Sequence, residues 1–228
     1  GQHRGGYTGF AVEITDLVDR EGENLLTVQL DTREDPTIPP FGFVIDYLTY
    51  GGLYREVWLE ATAESRLTDL FVYTPTLQEA VVQWTAELTP AAAAVRIRLE
   101  TTDGTLLAEQ TAPAAETGKM QLSVPEAQPW DTEHPVLHHA VAELLNAAGQ
   151  PIDRKQVTFG FRTAEFRADG FYLNGKKTFL RGLNRHQSYP YIGYAAPESL
   201  QREDARILQE ELHCTAVRTS HYPYAEEI

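Results

Sequence analysis

The chain has 228 residues, enough for one to three domains with buried cores. Nineteen Lys and Arg against 33 Asp and Glu leave a formal net charge of −14, so the basic footprint that nucleic acid or an anionic membrane demands is missing. A hydrophobic fraction of 42% with 23% charged residues excludes wholesale disorder, and a single cysteine, Cys214, excludes an internal disulfide or a multi-thiolate metal site.

The first 160 or so residues read as strands. Alternating or β-branched runs occur at FAVEITDLV, NLLTVQLDT, YREVWLEAT, LTDLFVYTP, AVVQWTAEL, AVRIRLET and LHHAVAELL. Turn signals at Asp103-Gly104, Thr117-Gly118 and Ala148-Gly149 punctuate them, and seven or more short strands at this spacing predict β-sandwiches. A composition shift near residues 61–66 separates two consecutive sandwiches, and the alanine run 91–94 reads as a turn and strand start. Three histidines, His134, His138 and His139, lie in the second sandwich, but 138 and 139 face opposite sides of a strand and no metal site is assigned to them.

After residue 163 the pattern changes. Asn174-Gly175, flanked by aromatic and apolar residues, predicts a hairpin. A strand follows, and then PESLQREDARILQEEL places Leu200, Ile207, Leu208 and Leu212 on one stripe of a helix. CTAVRTS then reads as a buried strand that Cys214 opens as a small core hydrophobe, which completes a βαβ unit. In parallel α/β architectures ligands are handled at the C-terminal ends of strands. Here the first strand runs out into Asn184, Arg185 and His186, and the second, past Arg218, into Ser220, His221 and Tyr222. Tyr189, Tyr191 and Tyr194 follow the first strand and supply flat rings suited to a sugar's apolar face. Imidazoles and amphipathic rings together suit a neutral, polyhydroxylated ligand.

The strings RGLNRHQSYPYIGY, AVRTSHYPYAEEI and GGLYREVWLE resemble glycoside hydrolase family 2, the β-galactosidase and β-glucuronidase family. The opening GGYTGFAVEITDLV…GENLLTVQLD resembles the second half of that family's jelly-roll domain. The resemblance implies a mainly β chain with a C-terminal α/β piece, in three segments. Residues 1–65 would be the later part of the jelly-roll sugar-binding domain, 66–163 an immunoglobulin-like β-sandwich, and 164–228 the start of a (β/α)8 TIM barrel. The family is retaining and uses two glutamates, the acid/base in an Asn-Glu pair. None of Asn24, Asn146, Asn174 and Asn184 is followed by Glu, so both catalytic carboxylates are expected beyond Ile228 and none is assigned within the chain. Glu226 and Glu227 read as first-turn residues of a following helix.

The resemblance implies that His186 and His221 hydrogen-bond sugar hydroxyls and that Asp46 reaches from the jelly roll into the sugar pocket. Asn184 and Arg185 join the substrate-binding set, although Arg185 and Arg218 have an equal alternative as partners of an interior carboxylate. The expected function is that of an internal fragment of a retaining exo-acting glycosidase acting on neutral β-linked nonreducing ends, a β-galactosidase first. The alternatives are a β-glucuronidase and a non-catalytic carbohydrate-binding module. The expected partner is a carbohydrate, with no nucleic acid and no membrane, and a homo-oligomer of the full-length protein is left open. No cofactor or metal is expected within these residues, and the full enzyme's Mg²⁺ requirement is left open, as is localisation, with the cytoplasm favoured.

Overall fold

The computed structural model describes residues 1–33, 35–38, 51–220 and 224, and Asp46, His221, Tyr222, Glu226 and Glu227 lie outside them. The chain divides into two compact units, one of Gly1–Trp58 with Arg181–Ile228 and the other of Leu59–Leu180.

The second unit is built on a sandwich. Strands β1 (Arg66–Thr76), β2 (Glu79–Glu87) and β5 (Thr117–Ser123) form one antiparallel sheet in the order β1-β2-β5. Strands β3 (Ala94–Thr101), β4 (Leu106–Pro113), β6 (His138–Leu145) and β7 (Pro151–Phe159) form the other, in the order β4-β3-β6-β7. This three-on-four arrangement is the immunoglobulin-like sandwich. Its pattern is plainest in β3, where Val95, Ile97 and Leu99 are fully buried while Arg96 and Arg98 take the other face. Each such aliphatic contributes about 1.5–3 kcal/mol on burial. On the opposite face Arg96 and Arg98 meet the buried Glu143 of β6 at 2.6 and 3.4 Å, and Arg98 also meets Glu100 at 3.2 Å. Leu70, Val82, Trp84, Leu122, Ala142, Leu144 and Phe161 belong to the same core.

The Thr117-Gly118 turn expectation fails: both residues open β5, and Gly118 pairs directly with Trp84. A glycine in a strand marks a close approach as well as a turn, and a Cβ on Gly118 would stand 2.2 Å from Trp84 Cζ2. The Asn174-Gly175 hairpin forms as the sequence predicts. Strands β8 (Ala164–Arg167), β9 (Gly170–Leu173) and β10 (Lys176–Lys177) make an antiparallel sheet in which Asn174 and Gly175 turn with φ of 53° and 76°. Both values are those a two-residue type I′ turn requires. Asn174 then donates to the Trp130 carbonyl and accepts from the Thr163 amide, each at 3.0 Å.

In the first unit, the alternating segments FAVEITDLV and NLLTVQLDT and the part of YREVWLEAT up to Trp58 form no strand among the described residues. Alternation fixes which side chains share a face, but a strand also needs a partner ladder, and these segments make none with one another. The βαβ unit does form. Strand β11 (Gly182–Arg185) pairs in parallel with β12 (Ala216–Thr219), and helix α1 (Glu198–Arg206), continued by a π-helical turn over Ile207–Glu211, connects them. The expected burial of the second strand does not: Val217 is 40% and Leu183 50% exposed, since a two-stranded sheet with one helix keeps edges and a face open to water. Cys214 is only half-buried. Among the described residues no helix is long and apolar enough to cross a membrane.

Candidate functional site

The ends of β11 and β12 are held in register from Gly182 opposite Ala216 to Arg185 opposite Thr219, and the Ser220 amide donates to the Arg185 carbonyl at 3.3 Å. Close approach begins at Gly182, where any Cβ would stand 2.3 Å from the Ala216 carbonyl oxygen. The two polar strand ends that the sequence singles out are therefore adjacent and point the same way. Arg185, the last residue of β11, is buried, whereas Asn184 before it and His186 just past the strand end are exposed. A strand sends neighbours to opposite faces, so Asn184 lies on the face away from Arg185, and His186 follows where the chain leaves the strand.

Arg185 is accordingly not aimed with them. Its Nε and Nη2 donate to Asp204 Oδ2 of α1 at 2.8 and 2.6 Å, and Nη2 reaches Gln201 Oε1 at 2.7 Å. Of the two roles the sequence leaves open for this arginine, the geometry displays the carboxylate partnership. Arg218 is exposed and lies 3.3 Å from Ser220 Oγ.

The three tyrosines separate into different environments. Tyr194 is 2% exposed, its carbonyl accepting from Arg55 Nη1 at 2.6 Å and its ring packed edge-on to Tyr54 at 5.8 Å. Tyr189 donates its hydroxyl to the Leu200 carbonyl at 3.1 Å. Burial first, and then the nearby Asp204 carboxylate, push this phenol above its ordinary range and keep it protonated for that bond. Only Tyr191 is wholly exposed, held at φ 71° in a tight loop closed by reciprocal Tyr189–Gly193 backbone bonds of 3.0 Å each.

Arg55, Gln201 and Asp204 escape the sequence reading. The legible signal for Asp204 is a carboxylate set four residues after Leu200 and four before Leu208, inside the helix's apolar stripe. The three sandwich histidines do not converge. His138 packs edge-on to Phe161 at 5.0 Å, His139 lies 3.3 Å from Thr158 Oγ1, and His134 lies 3.6 Å from Asp131. No group of metal-ligating side chains occurs among the described residues.

The description "Glycosyl hydrolases family 2" matches residues 65–162, and "Glycosyl hydrolases family 2, TIM barrel domain" matches residues 164–228. The chain belongs to glycoside hydrolase family 2. Its fold is mainly β, with sugar-binding and immunoglobulin-like portions followed by the start of a TIM barrel. It is 38% identical to a β-galactosidase of Thermoanaerobacter pseudethanolicus over 99% of this chain and 32% of that protein. It is 31% identical to a β-glucuronidase of Bacteroides fragilis, over 99% of this chain and 35% of that protein. Among solved structures, a Bifidobacterium dentium β-glucuronidase complexed with coumarin-3-O-glucuronide superposes with a TM-score of 0.62 at 29% identity, covering 72% of this chain and 28% of that one. The chain thus spans about a third of the length of the curated relatives it matches.

Proposed function

We propose that the full-length protein carrying this chain is a retaining, exo-acting glycosidase that removes neutral β-linked sugars from nonreducing ends, a β-galactosidase. The observation that carries this reading is the exposed Asn184 and His186 at the C-terminal end of the first barrel strand, beside a parallel second strand that leads into Ser220 and His221. That is the face on which TIM-barrel enzymes bind substrate. Asn184 and His186 offer donors and acceptors to sugar hydroxyls, and the family resemblance adds Asp46 and His221 to the proposed set. Arg185 acts from behind. The 38% identity to a β-galactosidase and the Asn184-Arg185-His186-Gln187 string support the galactoside over the glucuronide. Acid/base and nucleophilic glutamates are supplied from outside these 228 residues, so the chain by itself turns over no glycoside.

The test is steady-state kinetics of full-length His186→Ala, His221→Ala and Asp46→Ala on a neutral β-galactoside, with folding checked by circular dichroism. A hydroxyl-binding group left without its partner costs about 1–3 kcal/mol, so kcat/KM should fall roughly five- to 150-fold. If the contacts tighten as the ring flattens, kcat falls with it. Wild-type kcat/KM in both histidine variants would contradict the assignment.

A further inference from the structure

We propose that Gln201 and Asp204 on α1, acting through Arg185, are positioning residues that set the direction of Asn184 and His186 in the sugar pocket. The proposal rests on the reading of those two residues as sugar ligands.

Arg185 is 6% exposed, and three segments of chain converge on its guanidinium. From α1, Asp204 accepts from both Nε and Nη2, and the fully buried Gln201 accepts from Nη2. From the loop after β11, the Tyr189 hydroxyl lies 3.5 Å from Nη2. From the segment after β12, the Tyr224 ring lies under the guanidinium at 5.2 Å. Gln201 also donates its amide to the Ala196 carbonyl at 3.4 Å, which ties the cluster to the chain just before α1.

A buried ion pair is a poor source of stability, because desolvation of both charges offsets their attraction and apolar side chains of similar volume do as well. What the guanidinium supplies is direction, since its planar donor fork fixes angle as well as distance. With two of its edges spent on α1, Arg185 cannot rotate toward the opposite face. The strand backbone at 185 is pinned with it, so pleating commits position 184 to the other side, and the chain enters 186 from a fixed strand end whose carbonyl at 185 accepts from the Ser220 amide. Nη1 remains buried with no hydrogen-bond partner among the described residues, so the cluster holds its geometry at a polar cost, which a device serving packing alone would not carry.

The experiment uses the full-length protein and compares Asp204→Asn and Gln201→Leu in the wild-type and His186→Ala backgrounds. Asp204→Asn keeps the shape of the side chain and removes its charge, and folding is checked by circular dichroism. Misplacing a binding group by about an ångström costs up to about a hundredfold, so each variant should lower kcat/KM by roughly ten- to a hundredfold, chiefly in kcat. Each should cost clearly less once His186 is alanine, because only Asn184 is then left to misplace. Asp204→Glu should recover part of the loss, and Glu203→Gln, on the exposed part of α1, should have no effect. Equal losses in both backgrounds, or no loss in the wild type, would overturn the proposal while leaving the sugar-site reading standing. Wild-type kcat/KM in His186→Ala would instead remove that reading. Amide hydrogen exchange then decides the positioning by itself. Exchange of residues 183–187 at least about tenfold faster in Asp204→Asn, with sandwich amides unchanged, supports it, and unchanged exchange at 183–187 refutes it.

Discussion

Replacing Gly118 by alanine puts a methyl group where the structure has a ring. The new Cβ would stand 2.2, 2.5 and 2.7 Å from Cζ2, Cη2 and Cε2 of Trp84, against about 3.5–4.0 Å for an ordinary carbon contact. Relief requires a shift of more than about 1 Å by either the indole or strand β5. The indole is 5% exposed within the core and tethered by its Nε1 donating to the Ala115 carbonyl at 3.0 Å, and β5 is held by its ladder to β2. Overpacking of this kind costs about 1–3 kcal/mol, and loss of the indole hydrogen bond adds about 0.5–1.5 kcal/mol. The sum, roughly 1.5–4.5 kcal/mol, corresponds to a Tm lower by about 6–18 °C for a domain of this size. The assay is urea unfolding and thermal melting of the chain followed by far-ultraviolet circular dichroism, on Gly118→Ala, Trp84→Leu and the double variant. If the clash is the mechanism, the double variant is more stable than the two single losses predict. A Gly118→Ala protein within about 0.5 kcal/mol of wild type would refute the reasoning.

Two further outcomes are expected of the same sandwich. His138 is 3% exposed, its Nδ1 has no hydrogen-bond partner among the described residues, and burial, assisted by the charge of His139, holds its imidazole below the ordinary value of 6.5. It stays neutral in the folded chain while the unfolded chain takes up the proton. Its contribution is therefore complete above about pH 6.5 and is lost as pH falls toward the lowered folded value. The urea midpoint should drop between pH 7.5 and pH 5, and by less in His138→Gln; equal drops would contradict the assignment. Glu143→Ala removes the carboxylate that Arg96 and Arg98 share, leaving Arg98 with Glu100 at 3.2 Å and Arg96 with Glu109 at 4.0 Å, and should cost about 1–3 kcal/mol by urea unfolding. A loss under about 0.5 kcal/mol would show that water replaces the carboxylate.

What the sequence made legible follows period and punctuation. In β3 the 95, 97, 99 alternation gives both the strand and its inner face, and Asn174-Gly175 gives its hairpin, because each is local to a few residues. Thr117-Gly118 misleads because a glycine required by a neighbouring indole looks the same in sequence as a glycine required by a turn. The helical stripe shows the same limit. Leu212 is 55% exposed, whereas Gln201 is fully buried, since a side chain's partner decides its burial as much as its polarity does. At the candidate site, the parallel pairing of β11 with β12 and the exposure of His186 follow from the βαβ pattern. The turn of Arg185 toward α1 needs Asp204, nineteen residues away, which periodicity treats only as a blemish in an apolar stripe.

The proposed sugar site has Asn184 and His186 facing a neutral sugar in a β-galactosidase. Its most direct measurement is kcat/KM of the full-length protein on matched p-nitrophenyl β-galactoside and β-glucuronide, in the wild type and in His186→Ala. The wild type should prefer the galactoside, and His186→Ala should lose roughly five- to 150-fold of that activity. Preference for the glucuronide would contradict the substrate assignment, and hydrolysis of neither would contradict the proposed activity.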